Sequence, residues 1–202
     1  MDDIVIRAMA KWPNVPSVYG WLALDRRGQW RIKGADGNFE RVANPAVLKF
    51  IERNYVRGEE GRWYFQNGPQ RVYVTLEYTP LVYRVSTTSA QGFESHCGVP
   101  ATTLRGAWMD EEGDLLLLTE LGPGLIVDRD LPRALEGLTG PGGQALPEQR
   151  LLALLETPQD AAGAYFRVGD VSLPLQRMRS TEAPTRFGYV RVPLPPAGQA
   201  EC

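Results

Sequence analysis

Leu22-Ala23-Leu24-Asp25-Arg26-Arg27-Gly28-Gln29-Trp30-Arg31-Ile32 is an apolar run, an acidic-to-glycine turn and a second apolar run. Ala107-Trp108-Met109-Asp110-Glu111-Glu112-Gly113-Asp114-Leu115-Leu116-Leu117 repeats that order, with Asp and Gly again three apart. Glycine tolerates the positive φ that a tight turn needs, so each stretch predicts a β-hairpin. A second echo follows: Tyr64-Phe65-Gln66-Asn67-Gly68 returns as Tyr165-Phe166-Arg167-Val168-Gly169. Two copies of one pattern predict two similar units, with an insertion of roughly fifteen residues in the second copy. Twin units bury part of their apolar surface against each other and leave concave sites at the seam.

Before the first hairpin, Ile4, Val5, Ala8, Met9 and Trp12 share one helical face, and Pro13 and Pro16 stop that helix. After it, Asn44-Pro45 marks a helix start: Asn accepts from a free backbone amide and Pro suits the first helical position. Val47, Leu48, Ile51 and Tyr55 supply the apolar stripe. A strand over 62–65, a turn at Asn67-Gly68 and a strand in which Val72, Val74 and Leu76 alternate with Arg71, Tyr73, Thr75 and Glu77 come next. Such alternation predicts one buried face and one polar face. Pro80 breaks the run and 81–85 forms another strand. The stretch 87–102 lacks period and reads as a connector.

In the second half the 108–118 hairpin is followed by a short strand at Ile126-Val127 and a short helix after Asp130. A Gly-Pro surface loop at 139–143 and a leucine helix over 151–155 follow. Strands are expected at 165–168, 171–176 and 187–192, with a frayed tail from Pro193. The fold class is α+β: two similar antiparallel-sheet-plus-helix units at 1–86 and 103–194, joined by 87–102 and trailed by 195–202.

The chain has 202 residues, 43% hydrophobic and 23% charged, which suits a globular rather than a disordered protein. A formal net charge of −2 gives no general attraction for nucleic acid or anionic lipid. Arg167, Arg177, Arg179, Arg186 and Arg191 make the last third locally basic, but no nucleic-acid motif accompanies them. The N-terminus lacks a basic-then-apolar leader and no apolar run approaches the ~20 residues of a membrane span. The two cysteines, Cys97 and Cys202, read as free thiols. The expectation is a cytoplasmic protein without nucleic-acid or membrane partners.

One resemblance adds to this reading. Trp12-Pro13, then Gly20, Gly28-Gln29-Trp30, Asn44-Pro45, Gly61-Arg62-Trp63-Tyr64-Phe65 and Val72-Tyr73-Val74-Thr75-Leu76-Glu77-Tyr78-Thr79-Pro80 follow in that order. In this the first half, over about 4–85, resembles a bacterial domain-of-unknown-function family. The resemblance implies an internally duplicated α+β fold with a pleckstrin-homology-like second half. It also implies a nucleotide-like small ligand at the seam and a role in signalling. Glu77 is followed by Tyr78 where that family shows a second acid, and Gly34-Ala35-Asp36-Gly37 replaces a Gly-x-Pro. These departures point to a sister family.

Reactive constellations are sparse. His96 is the one histidine, too few for a zinc set with Cys97, and Asp110-Glu111-Glu112 reads as solvated turn residues. Ser95-His96-Cys97 are adjacent, and neighbours on a strand point to opposite faces, so they do not read as a triad. Gly140-Pro141-Gly142-Gly143 lacks the Lys-Ser/Thr of a phosphate loop. What remains is aromatic plus Arg: rings can stack a base while guanidinium groups fork onto phosphate. The same residues also serve as ordinary core and rim. The expected ligand-binding set is Trp30, Arg31, Arg71, Tyr73, Glu77 and Tyr78, with no catalytic residue, metal or cofactor. The function expected is a non-enzymatic ligand-binding or signalling module. The alternatives are a protein-interaction domain, or an enzyme using Glu77 or Asp25 as base.

Overall fold

The computed structural model describes residues 1–87, 89, 92–156 and 163–196. By packing they fall into two units: Met1–Pro80 together with the returning chain from Gly188, and Leu81–Phe187.

The first unit opens with helix α1 (Asp3–Lys11) and a meander of β1 (Val18–Leu24), β2 (Trp30–Lys33) and β3 (Phe39–Arg41). Helix α2 (Pro45–Arg53) follows, then β4 (Tyr55–Arg57), β5 (Trp63–Asn67) and β6 (Gln70–Leu76). Asn44 caps α2 by accepting from the amides of Ala46 at 2.9 Å and Val47 at 3.4 Å, with Pro45 next. The six strands run β3-β2-β1-β6-β5-β4. β6 closes the sheet parallel to β1, with Leu22 opposite Val74 and Leu24 opposite Leu76. β1 carries a bulge between Val18 and Leu22, where Gly20 takes φ +72°. Bulges of this kind turn a side chain to a new direction and favour glycine.

The second unit starts with β7 (Leu81–Val85), β8 (Phe93–Ser95), β9 (Leu104–Met109), β10 (Leu115–Thr119) and β11 (Pro123–Ile126). Then come α3 (Leu131–Leu135), β12 (Leu138–Thr139), α4 (Glu148–Glu156), β13 (Tyr165–Val168), β14 (Val171–Arg177) and α5 (Ala183–Phe187). Its eight strands run β12-β13-β14-β9-β10-β11-β7-β8. Setting β7 and β8 aside, β11-β10-β9-β14-β13-β12 follows the same chain path as β3-β2-β1-β6-β5-β4, with β14 parallel to β9 as β6 is to β1. The two hairpins also pair alike around their turns: Leu24 faces Trp30 and Ala23 faces Arg31, as Met109 faces Leu115 and Trp108 faces Leu116.

The class is α+β, as the sequence indicates, but both sheets are mixed rather than antiparallel, since β1–β6, β7–β11 and β9–β14 run parallel. Several local expectations are corrected. The stretch 87–102, read as aperiodic, contains β8, which pairs with β7. The strand expected over 187–192 is the end of α5 followed by irregular chain. Pro193, expected to start a frayed tail, is buried; the remainder of that tail, 197–202, lies outside the described residues. On α1 only Val5 is buried, while Ile4 and Trp12 stay exposed. Asp110, read as solvated, is buried because its Oδ1 accepts from the amides of Glu112 and Asp114. No helix among the described residues is long and apolar enough to cross a membrane.

Candidate functional site

The first unit's sheet has two differently furnished faces. Alternation sends Trp30, Tyr55, Trp63 and Phe65 toward α2, where Phe65 meets Phe50 edge-on at 5.4 Å and Tyr55 meets Trp30 at 4.9 Å. The opposite face holds Tyr19, Tyr64 and Tyr73, with Tyr19 stacked on Tyr73 at 4.6 Å between ring centres. Burial of Tyr73 on this face explains why the alternating Arg71-Tyr73-Thr75-Glu77 row is not a uniformly solvated one.

Between α2 and the sheet lies a cavity of about 410 Å³. Val47 and Ile51, four apart on α2, form one wall, and Leu22, Ile32, Phe65 and Val72 form the sheet wall. Trp21 reaches it as well, although a regular strand would direct Trp21 away with Tyr19; the β1 bulge makes the difference. Trp21, Ile32 and Val47 are each more than 40% exposed, so the mouth is apolar too. Asn67 and Gln70 supply the amide groups at its edge.

A second cleft, of about 330 Å³, lies between the end of α1, the segment after it and the β5–β6 turn. Its walls include Trp12, Ser17, Gln66 and Arg71. Gln66 and Arg71 face each other directly across the β5–β6 ladder.

The six residues expected to bind ligand do not converge on one surface. Trp30 and Tyr78 are only 1% and 2% exposed. The Arg31 guanidinium sits 3.0 Å from Asp25 Oδ2. Tyr73 is held under Tyr19, and Glu77 Oε2 accepts from the Arg26 amide at 3.2 Å. Arg26 also lies over the Tyr78 ring. Arg71 lines the second cleft, its guanidinium 5.1 Å from the Tyr64 ring centre. The expected binding set lacks Val47, Gln66 and Trp21, the last of these one of the first half's cluster of aromatics. Val47 stood in the α2 stripe, but a stripe does not say that the space beneath it stays open.

The second unit places His96 and Cys97 in a turn, not on a strand. Cys97 Sγ therefore comes to 3.5 Å from His96 Nε2, against the expectation that neighbours diverge. His96 Nδ1 accepts from the Val82 amide at 3.2 Å, so in the neutral ring Nε2 carries the proton and faces sulfur as a donor. A base for the thiol would need the opposite tautomer. Burial pushes the imidazole down to about 3, and the Arg84 charge adds to that. Asp25 has both carboxylate oxygens engaged, Oδ1 by the amides of Arg27 and Gln29 and Oδ2 by Arg31. Among the described residues, no group of three or more His, Cys, Asp and Glu gathers as metal ligands would.

Fold and site together define a class by architecture: an α+β protein of two mixed-sheet units, with one apolar and one polar cavity described in the first. The family model described as "Protein of unknown function (DUF2946)", DUF2944, matches residues 1–194, and the chain belongs to that family. No curated protein matches. A solved structure, that of a DUF1285 family protein from Silicibacter pomeroyi DSS-3, is 17% identical, covering 69% of this chain and 86% of its own, with a TM-score of 0.43.

Proposed function

We propose that this protein is a non-catalytic small-ligand-binding module that serves in signalling, and that the cavity under α2 is its ligand seat. The cavity carries the reading: about 410 Å³ falls within the range of small-molecule pockets, and its walls are aliphatic and aromatic. At ~30 Å³ per heavy atom the space suits roughly a dozen of them. The ligand that fits has an apolar body and a polar head reaching Asn67 or Gln70. A nucleotide-like ligand would bring phosphate to walls that hold no cation, so an amphiphile suits this seat better. The shared strand path and hairpin register support an origin by duplication.

Fluorescence titration with anilinonaphthalene sulfonate, displaced by medium-chain aliphatic alcohols, tests the assignment. The expected result is saturable binding that Val47→Glu weakens at least tenfold, since it places a charge at the exposed mouth without entering the core. Failure of every alcohol to displace the dye, or unchanged binding in Val47→Glu, would sink it. A second reading, an interaction surface, has one observation in its favour, the exposed trio Trp21, Ile32 and Val47. A concentration-dependent dimer lost in Val47→Glu would favour that reading instead.

A further inference from the structure

We propose that the polar cleft beside α1 is a separate binding site for a small aromatic acid that carries an N–H or O–H donor. In it the acid group meets Arg71, the donor meets Gln66 Oε1 and the ring lies along Trp12. Gln66 is 1% exposed, and its Oε1 is buried with no hydrogen-bond partner. The rest of the residue is fixed: Nε2 donates to the Gly68 carbonyl at 2.9 Å and its backbone amide to that of Asn54 at 2.9 Å. The amide therefore cannot turn to offer a donor without breaking a bond, so Oε1 stands as a fixed acceptor. A buried acceptor left unmatched costs free energy that a ligand donor recovers.

Arg71 stands directly opposite Gln66 across the ladder, so their Cβ atoms are ~5 Å apart and both side chains leave the same face of the sheet. Its guanidinium rests on Tyr64 and, among the described residues, has no carboxylate within 4.0 Å. A forked donor in that state suits a carboxylate or phosphate. Trp12 is 51% exposed on the far wall, with the Lys11 ammonium 4.5 Å from its ring centre, which adds positive charge on that side. Cation, fixed acceptor and exposed indole together select an anion with a flat ring and a donor. Neither a bare anion nor a neutral apolar molecule satisfies all three.

The test compares indole-3-acetate with 1-naphthaleneacetate, which has a similar ring and charge but no N–H, by calorimetry on the full chain. The indole acid should bind about tenfold more tightly, the worth of one hydrogen bond. Adenosine 5′-monophosphate and inorganic phosphate form the second arm. Tighter binding of the nucleotide than of indole-3-acetate identifies a phosphate-bearing ligand, and the reverse a carboxylate. Arg71→Gln should weaken either at least tenfold, whereas Val47→Glu, at the other cavity, should leave both unchanged. Equal affinity of the two ring acids overturns the proposal, as does binding that Arg71→Gln leaves intact, or no binding by any probe at millimolar concentration. The ring-acid comparison uses the unaltered protein, so it stands even where Arg71→Gln fails to fold.

Discussion

His96 is a neutral imidazole held inside the second unit, 4% exposed, with Nδ1 taking the Val82 amide. Its pKa falls from an ordinary 6.5 to about 3 because burial penalises the charged ring. In the unfolded chain the same ring takes a proton near pH 6.5. Between about pH 6.5 and 3 the unfolded state therefore binds more protons than the folded one, and stability declines as pH falls. Stability is at its full value above pH 6.5, and each unit below that removes up to ~1.4 kcal/mol. Urea midpoints at pH 7 and pH 4.5 should thus separate more for the natural chain than for His96→Asn, which keeps an acceptor near Nδ1 but does not titrate. Equal separations would show that other groups govern the acid side.

At the scale of elements, the hairpins are set by their turn aspartates. Asp25 Oδ1 accepts from the amides of Arg27 at 2.9 Å and Gln29 at 2.8 Å, and Asp110 Oδ1 does the same for Glu112 and Asp114, both at 3.0 Å. Gly28 and Gly113, at φ +72° and +84°, complete each turn. Asp25→Ala should destabilise the chain by about 1–3 kcal/mol by leaving turn amides unmatched, and Asp25→Asn by less, since the accepting oxygen survives. A chemical-denaturation series reads this directly, and equal losses in the two variants would assign the effect to the Arg31 ion pair instead. These turns were legible in the sequence because their chemistry is local: one acceptor and one glycine three residues apart. The Asn44-Pro45 start of α2 was legible for the same reason. What escaped depends on partners far along the chain. β8 and β12, three and two residues long, exist through pairing with β7 and β13. The parallel closure of β6 on β1 is equally long-range, and it buries Tyr73 on the face that alternation assigned to solvent. Arg71 was recognisable among the aromatics, but Gln66 gains its meaning only when the β5–β6 register sets it opposite Arg71.

For the whole molecule, the two units differ in continuity: the second is the unbroken run Leu81–Phe187, whereas the first needs chain from both ends. The returning segment is bonded into the first unit at several points. Val190 donates to the Gly61 carbonyl at 3.0 Å, Leu76 donates to that of Arg191 at 2.7 Å, and the Arg191 guanidinium donates to the Glu77 carbonyl. Gly61, at φ +72°, is required there, because a Cβ would stand 2.1 Å from the Gly188 oxygen. Tyr189 is 4% exposed and Pro193 is buried. Burying a tyrosine-sized ring contributes about 3 kcal/mol, reduced by about 1–3 kcal/mol because the Tyr189 hydroxyl is buried without a partner, so the backbone bonds of the returning segment carry much of its hold on the unit. Residues 81–187 alone should therefore unfold in one cooperative transition. A 1–80 fragment should lack one, and 1–80 joined through a flexible linker to 188–196 should regain it. Circular dichroism under thermal denaturation separates the three. A cooperative transition for 1–80 equal to that of the joined fragment would mean that the returning chain lies on the unit without stabilising it.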